Sequence, residues 1–497
     1  MNRRSSGILM HITSLPSIHG IGGLGPEAYE FADFLAETDQ TVWQILPLTP
    51  TALGSHNDPY HSISAFAGNP LMLSPELLVR DGLLDEDDIV PPKEFPQHTV
   101  DFAGVTEYKT RLFKKAFARY GLVEDMHMIE FRERNAEWLE DFALYSALKK
   151  KFGGKVWTDW PAELRDRDPE AMSRAAEELS DELYMARFLQ YMFARQWNEL
   201  RDYCRKRGIL FFGDLPIYVD FDSAEVWRHP ELFKLDENKQ PYVVAGVPPD
   251  YFSATGQLWE SPIYDWDKHL ETGFDWWMRR IERNLELIDY LRIDHFRGLV
   301  AYWEVPAGEE TALNGKWVEA PVMEFFGTLS RRMPCMPLIA EDLGVITPDV
   351  REAMQKFGFP GMKILLFAFD ETMAKNAYIP HNIESHSVAY TGTHDNNPVK
   401  GWYDEEAGAE VRDRLKKYYG REIPREELPW EMFRTVFKTR SDLAVVPVQD
   451  LLGLDASARM NRPGNLKGNW HWRMKPGALT GDIAAALKEL TEVSGRA

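Results

Sequence analysis

Eight short apolar runs, each stopped by turn-forming residues, recur along the chain and constrain its fold more than any other feature. They are nearly continuous in hydrophobicity, which is typical of strands buried on both faces of a parallel sheet. We assign strands to residues 7–15, 41–48, 209–219, 288–296, 336–344, 362–369, 387–395 and 443–453. The runs indicate an α/β protein.

Helical patterns lie between several of these runs. Apolar residues share one face of segments 26–37 and 322–333, and Thr347 followed by Pro348 predicts the N-cap and first residue of a helix over 348–357. Eight strands alternating with helices predict a (β/α)₈ TIM barrel. A doubly wound sheet is the competing architecture, since short apolar runs do not count strands reliably.

The connections between the predicted strands are unequal. About 160 residues separate the second strand from the third, far more than a βα loop needs. We therefore expect one barrel domain over residues 1–497 with large, mostly helical insertions. The first is a helical subdomain over 71–208, and the second, 221–287, carries an irregular aromatic loop at 245–259 that we place over the active site.

Charge and cysteine usage limit the partners of the chain. With 57 Lys and Arg against 78 Asp and Glu, the net charge is −21, which disfavours binding to nucleic acid or to an anionic membrane. No run approaches the roughly 20 apolar residues of a transmembrane helix. Cys204 and Cys335 have neither disulfide nor metal-site spacing. We expect a cytoplasmic protein, while its oligomeric state stays open.

Polar side chains with catalytic capacity lie at the carboxyl ends of four predicted strands. They are Asp214, Arg292, Asp294, Glu341, Asp342, His394 and Asp395. In a barrel these strand ends meet on one face, so side chains remote in sequence become neighbours in one pocket. One such Asp alone is ordinarily a helix N-cap or a loop acceptor, but four strands ending in this way favour a site.

Clustered carboxyl groups are what the cleavage of a glycosidic bond needs. A carboxylic acid protonates the leaving oxygen, and a carboxylate faces the anomeric carbon. A third carboxylate could bind sugar hydroxyls and help to raise the pKa of the acid. Arg292 lies two residues before Asp294, on the same side of the strand, so it can keep Asp294 ionised. We find no motif typical of a metal site.

The segment Gly20–Gly25 matches the G-x-G-x-x-G pattern of dinucleotide-binding loops. Two features argue against that interpretation. The second strand ends in Leu-Pro-Leu-Thr-Pro, without an acidic residue for a ribose hydroxyl, and Glu27 at the start of the next helix would repel a pyrophosphate. A nicotinamide-dependent dehydrogenase is therefore a weak alternative.

Several longer motifs are spread along the chain. They are RRSSGILMHITSLP with GIGGLG near the start, WQILPL (43–48), DPYHSISAFAGNP (58–70), GVPPDYF (246–252), GQLW (256–259) and ARMNRPG (458–464). In these motifs the chain resembles the amylomaltases, also called 4-alpha-glucanotransferases or disproportionating enzymes, nearly from end to end. These enzymes are relatives of the alpha-amylases. The resemblance explains the glycine-rich loop without a nucleotide.

Carried over position by position, the resemblance implies a catalytic set and a substrate-binding set. Asp294 would be the nucleophile, Glu341 the acid and base, and Asp395 the third carboxylate. The substrate-binding set is Tyr60, which would stack on the sugar, with Asp214, Arg292, His394, Trp259 and Asp370. Two departures, His61 where the family pattern has Gln and Glu260 where it has Gly, are expected to affect acceptor preference and not the chemistry.

The resemblance implies a retaining transferase without a cofactor that moves a segment of α-1,4-glucan onto the 4-hydroxyl of glucose or another maltodextrin. No energy source is needed because one glycosidic bond replaces another. The main alternative is a non-catalytic α-glucan-binding protein. Such a protein would explain the aromatic residues, but not three acids at the ends of barrel strands, and it would leave maltotriose intact.

Overall fold

The computed structural model describes residues 4–51, 56–121, 125–249, 253–465 and 467–497. Its strands are β1 Ser5–Leu9, β2 Val42–Gln44, β3 Leu210–Leu215, β4 Val243–Val247, β5 Gln257–Pro262, β6 Tyr290–Ile293, β7 Ala301–Pro306, β8 Lys316–Glu319, β9 Leu338–Ala340, β10 Gly361–Ile364, β11 Ser387–Tyr390 and β12 Leu443–Pro447.

Eight of these strands form one parallel sheet in the order β10-β11-β12-β1-β2-β3-β6-β9. Each predicted run contributes one strand, and neighbours in the sheet are consecutive among the eight along the chain. This order rises steadily around a nearly closed barrel, and a doubly wound sheet would reverse it. The predicted (β/α)₈ barrel is confirmed, and the doubly wound alternative is wrong.

The strands are shorter than the apolar runs that predicted them. Beyond β1 the chain turns into a short 3-10 helix, Ile12–Ser14, and beyond β10 into another, Leu365–Phe367. Ile12 and Leu365 remain almost completely buried, because the loops that leave the barrel pack on its upper end. The apolar run in the sequence therefore continues past the last residue of the strand.

Helices cover the barrel and fill the long connection between β2 and β3. In chain order they are α1 Pro26–Glu37, α2 Pro75–Arg80, α3 Phe102–Tyr120, α4 Met126–Arg134, α5 Ala136–Lys151, α6 Ala162–Arg165, α7 Pro169–Glu178, α8 Ser180–Arg205, α9 Ala224–Arg228, α10 Trp266–Glu271, α11 Asp275–Leu287, α12 Val322–Arg332, α13 Pro348–Phe357, α14 Val399–Glu405, α15 Ala409–Tyr419, α16 Leu428–Phe437, α17 Val448–Leu451 and α18 Gly481–Val493. None of those within the described residues has the length and apolar character needed to span a membrane.

The helix predicted over 348–357 begins at Pro348, but its expected side-chain cap is absent. Thr347 has the extended backbone of an N-cap, yet its hydroxyl makes no capping bond. It accepts a hydrogen bond of 2.8 Å from Nη1 of Arg297 instead. The contact with Arg297 replaces the capping bond that the sequence predicted.

A four-stranded antiparallel sheet, in the order β5-β4-β7-β8, stands beside the barrel and was not predicted. The segment 245–259, which we interpreted as an irregular loop, begins inside β4 and ends inside β5. Its central residues Asp250, Tyr251 and Phe252 lie outside the described residues. A bulge between Val244 and Gly246 interrupts the pairing of β4 with β5, which obscures the strand pattern in the sequence.

A side chain helps to close the barrel where β9 meets β10. The amide of Ala340 donates to the carbonyl of Pro360 over 2.9 Å. Asp342 then accepts the amide of Met362 over 2.6 Å and the ammonium of Lys363 over 3.2 Å. Asp342, which the sequence placed among the candidate catalytic residues, therefore seals the junction of two strands.

Replacing Gly361 with alanine should destabilise this junction. A Cβ atom there would lie 2.4 Å from Oδ2 of Asp342, so the carboxylate would have to move away from Met362. We expect a loss of about 1–3 kcal/mol in the free energy of unfolding, seen as a lower Tm. Gly408→Ala is the control, because a Cβ at Gly408 meets nothing within 4 Å. Equal Tm values for the two variants would contradict this role of the glycine.

Candidate active site

A buried arginine connects two carboxylates at the carboxyl ends of neighbouring strands. Arg292 on β6 lies opposite Asp214 on β3. Its Nη1 donates to Oδ2 of Asp214 over 2.6 Å, and its Nη2 lies 2.7 Å from Oδ1 of Asp294. The side chain of Asp294 keeps 27% exposure, whereas those of Arg292 and Asp214 are buried. One fixed cation thus orients Asp294 towards the open cleft.

The pKa values of Arg292 and Asp214 depend on the charges of their neighbours. Burial opposes the charge of Arg292, but Asp214 and Asp294 outweigh it and hold its pKa well above the ordinary value. Burial raises the pKa of Asp214, while Arg292 counteracts that effect and Asp294 adds to it. Removing the guanidinium would therefore leave two neighbouring carboxylates without their shared counter-ion.

Glu341, immediately after β9, faces the same cleft and has a strongly perturbed carboxyl group. Its Oε2 accepts the amide of His295 over 2.8 Å, and its Oε1 accepts the amide of Leu343 over 2.7 Å. Burial is the main cause that raises its pKa to about 8, with Asp294 adding to the shift and Arg292 opposing it. At neutral pH this carboxyl group holds a proton while both of its oxygens are fixed by backbone amides.

His295 is held in a left-handed conformation, with φ 49° and ψ 52°. This conformation is uncommon for a residue with a side chain, and it directs the amide of His295 at Glu341. The imidazole lies edge-to-face against Trp259, with ring centroids 4.9 Å apart. Burial lowers the pKa of His295 to about 4, so the ring is neutral at physiological pH.

Tyr60 and His394 form a parallel pair of rings beside Asp214. Their ring centroids are 5.4 Å apart and their planes differ by 14°. The Tyr60 hydroxyl donates to Oδ2 of Asp214 over 2.7 Å and lies 2.9 Å from Nε2 of His394. Because the phenol has one hydrogen, which the carboxylate accepts, Nε2 of His394 is the donor in the second contact. Burial raises the pKa of Tyr60 well above its ordinary value.

Asp395 is held from the C-terminal part of the chain. Asn461 donates to its Oδ1 over 2.7 Å, and Arg459 donates to its carbonyl over 2.7 Å. Both residues lie in the ARMNRPG motif, which the sequence shares with the family, but they were not among the predicted site residues. Their partner, Asp395, is more than 60 positions away, so the contact could not be predicted from the sequence.

The loop that carries His394 and Asp395 is also fixed from beneath. The buried carboxylate of Asp450 accepts the hydroxyl of Thr391 over 2.8 Å and the amide of Val399 over 2.6 Å. These contacts hold both ends of the loop. Asp450 was likewise missed by the sequence analysis, since it follows the last barrel strand inside an apolar run.

The structure brings Trp259 to the site through His295, but it gives Asp370 a local role. The carboxylate of Asp370 accepts the amide and the hydroxyl of Thr372, each over 2.9 Å. No hydrogen bond joins it to another candidate residue in the described part of the chain. Within the same residues, no group of three or more His, Cys, Asp or Glu side chains is arranged to hold a metal ion.

The two residues that depart from the family pattern, His61 and Glu260, both lie next to Trp259. Nδ1 of His61 lies 3.2 Å from Oδ2 of Asp58, and this hydrogen bond is the main cause that raises the pKa of His61. The ring of His61 also contacts the backbone of Trp259. Glu260 has φ 59°, a conformation that glycine adopts without strain.

The glycine-rich loop 20–25 packs against protein. A Cβ atom on Gly22 would lie 2.1 Å from the carbonyl oxygen of Ile12, and one on Gly25 would lie 2.6 Å from Oγ of Ser74. The loop therefore needs glycine because neighbouring chain segments approach it closely. This packing accounts for the glycines without a nucleotide.

Comparisons with known proteins agree along nearly the whole chain. A family model described as 4-alpha-glucanotransferase matches residues 10–480. The 4-alpha-glucanotransferase of Aquifex aeolicus is 48% identical over 475 residues, covering 95% of this chain and 96% of that protein. The 4-alpha-glucanotransferase of Thermus thermophilus is 45% identical over 505 residues, with 99% of each chain covered.

Two solved structures are similar in fold. The amylomaltase of Streptococcus agalactiae in complex with acarbose has a TM-score of 0.96 and 42% identity, covering 99% of this chain and 100% of that one. The amylomaltase of Corynebacterium glutamicum has a TM-score of 0.78 at 18% identity, covering 98% of this chain and 75% of that one. The second likeness concerns the fold alone.

The raised pKa of Glu341 predicts how stability depends on pH. Between its ordinary value of 4.5 and about 8, the folded state binds a proton that the unfolded state has lost, so this group makes the protein less stable as pH rises. Glu341→Gln keeps the neutral form at every pH. The Gln amide nitrogen cannot accept one of the two backbone amides that bind Glu341, which lowers Tm at every pH. On top of that constant loss, we expect the Tm of Glu341→Gln relative to the wild type to rise by a few degrees from pH 4.5 to pH 8.5. A constant difference across this range would contradict a raised pKa.

Proposed function

The chain belongs to the 4-alpha-glucanotransferase family, and from that premise we propose how its site transfers a segment of α-1,4-glucan to the 4-hydroxyl of glucose or another maltodextrin. The observation that carries the proposal is the contrast between two carboxyl groups. Glu341 is buried and protonated, whereas Asp294 is paired with Arg292 and exposed to the cleft. A general acid beside a nucleophilic carboxylate is the arrangement of a retaining glycosyl-transfer enzyme.

In the first step, Glu341 gives its proton to the glycosidic oxygen as the bond from that oxygen to the anomeric carbon breaks. Asp294 attacks the anomeric carbon and forms a covalent glycosyl-enzyme. Because Oδ1 of Asp294 is paired with Arg292, Oδ2 is the oxygen free to attack. The departing chain leaves with a new 4-hydroxyl, and Glu341 is left as a carboxylate.

In the second step, the glycosyl group passes to an acceptor sugar. Glu341 takes the proton of the acceptor 4-hydroxyl as that oxygen attacks the anomeric carbon, and Asp294 departs as a carboxylate. Two inversions give retention of the α configuration. Nothing is oxidised or reduced, and the new bond has nearly the energy of the old one.

The remaining residues bind and orient the sugar in this proposal. The ring of Tyr60 provides a flat surface for the sugar at the cleavage point, with the buried His394 stacked against it, and Asp395 accepts the sugar hydroxyls. Asp214 acts through Arg292 and Tyr60, so it positions the nucleophile. The similar structure from Streptococcus agalactiae contains acarbose, which supports maltooligosaccharides as ligands of this site.

Substitution of the two central carboxyl groups tests these roles. Asp294→Asn should lower kcat for maltotriose disproportionation by more than about a thousandfold with the fold intact, because it removes the nucleophile's charge but little volume. Glu341→Gln should also be inactive on maltotriose, yet it should still form a covalent glucosyl-enzyme from α-glucosyl fluoride, since fluoride leaves with little proton assistance.

Mass spectrometry of the intact protein measures that intermediate, and the double variant with Asp294→Asn is the control. Near-wild-type turnover of Asp294→Asn would remove Asp294 from the mechanism. Absence of a glucosyl adduct in Glu341→Gln would contradict the role of Glu341 as the acid.

We further propose that the segment 245–259 favours transfer over hydrolysis by shielding the intermediate from water. Trp259 supports this, because its indole packs against His295, whose amide binds the acid Glu341. Phe252, which the sequence analysis placed in the same role, lies outside the described residues. A sugar bound near Trp259 gains proximity that a mobile water molecule lacks.

Trp259→Ala should raise the ratio of hydrolysis to transfer several-fold. The measurement compares new reducing ends with glucose released from maltotriose, and Phe252→Ala is assayed in parallel. Trp430→Ala, in helix α16, is a control for loss of an indole, because Trp430 packs against Phe433 of the same helix. If Trp259→Ala and Phe252→Ala keep the wild-type ratio and lose only stability, the segment is structural.

A further inference from the structure

An exposed tryptophan stands on the edge of the antiparallel sheet beside the barrel. Trp317 lies on β8, the edge strand, and 40% of its surface is exposed. Across the strand pair it faces Trp303, with ring centroids 5.3 Å apart. An indole is among the largest apolar groups in a protein and is ordinarily well covered. The exposed ring of Trp317 is therefore a candidate surface for binding a ligand.

Arg297 holds the Trp317 ring and ties it to the loop that carries the acid. Its guanidinium carbon lies 4.0 Å from the centroid of the Trp317 ring. Its Nη1 donates to the carbonyl of Val345 over 3.0 Å and to the hydroxyl of Thr347 over 2.8 Å. We call Trp317, Arg297 and Val345 the edge platform. Val345, at 72% exposure, adds to the exposed apolar surface.

The edge platform is joined to Glu341 from two directions. Val345 follows Glu341 by four residues in the same loop, and Leu343 between them donates its amide to Glu341. Arg297 follows His295 by two residues, and His295 donates the second amide. The platform therefore lies next to the two segments that fix the carboxyl group of Glu341.

The position of the acid gives the platform its place along the glucan. An acid that protonates the glycosidic oxygen stands on the side of the departing sugar, and the acceptor later enters from that same side. Tyr60 and His394, by contrast, lie with Asp214 at the cleavage point. A chain that continues beyond the first acceptor sugar is thus directed along the loop of Glu341 towards Trp317.

The chemistry of the platform suits a glucose unit. The apolar face of a pyranose stacks on a flat aromatic ring, and a guanidinium donates to sugar hydroxyls. Arg297 covers one face of the Trp317 ring and is itself fixed by two hydrogen bonds from Nη1, so a glucose unit stacks on the opposite face of the indole.

We propose that the edge platform is an acceptor-side subsite, in which Trp317 stacks on a glucose unit beyond the first acceptor sugar and so favours acceptors of more than one unit. The proposal rests on the proposed function, because the role of Glu341 as acid defines the acceptor side. A glucose acceptor is too short to reach Trp317, whereas maltotriose extends along the platform.

The test uses α-glucosyl fluoride as donor, because it places one glucose at the cleavage point and leaves the acceptor side empty. Glucose and maltotriose, each labelled with ¹³C, serve as acceptors, and mass spectrometry quantifies the elongated labelled product. We expect Trp317→Ala to raise KM for maltotriose roughly threefold to tenfold, with KM for glucose within about twofold of the wild type. Trp317→Phe, which keeps an aromatic face, should restore most of the maltotriose affinity.

Tyr242→Ala is the matched control. Tyr242 is also exposed, at 54%, but it precedes β4 at the far end of the sheet, about 13 Å along the strands from the level of Trp303. It should leave both KM values unchanged. An equal change for glucose and maltotriose in Trp317→Ala, no change for either, or a changed oligomeric state as its only effect would overturn the proposal. Elongation of glucose by the wild type tests the proposed function separately.

Discussion

The ion pairs of Arg292 are the interaction on which the rest of the site depends. A buried cation between Asp214 and Asp294 fixes two strand-end carboxylates at once. The Tyr60 hydroxyl binds Asp214, and His394 binds that hydroxyl. Glu341 lies close enough to be affected by this cation, but burial outweighs it and keeps the carboxyl group protonated. The barrel places two carboxyl groups side by side, one paired with Arg292 and one whose pKa is raised by burial.

The sequence predicted the barrel well because eight strands buried on both faces leave eight continuous apolar runs. It predicted the strand ends poorly, since Ile12 and Leu365 stay buried after their strands have ended. It missed the antiparallel sheet because β4 and β7 are about 60 residues apart and a bulge breaks the pairing of β4 with β5. Alternation along one segment identifies a strand, but it carries no information on the partner that completes a sheet.

The candidate site shows the same division. Arg292 and Asp294 could be paired from the sequence because their relationship lies within one strand, two residues apart. Asn461, Arg459 and Asp450 could not be connected with Asp395 or its loop, since those contacts depend on how distant segments pack. In the sequence, Asp342 is as good a catalytic candidate as Glu341. The structure distinguishes them because Asp342 accepts the amide of Met362 at the junction of β9 and β10. Residue type indicated chemical capacity, while packing decided where that capacity is used.

The consecutive pair Glu341 and Asp342 limits where the chain can change its length. One carboxyl group is the proposed acid and the next seals β9 against β10, so their spacing is set by two unrelated requirements. A single residue inserted between Ala340 and Leu343 would move Asp342 away from Met362, or the amide of Leu343 away from Glu341. Helices α3 to α8, in the connection between β2 and β3, contain none of the candidate site residues, so a helix can be added there without shifting any strand end. Insertions and deletions are therefore tolerated where adjacent residues do not have to meet two separate requirements, whatever the distance of the segment from the cleft.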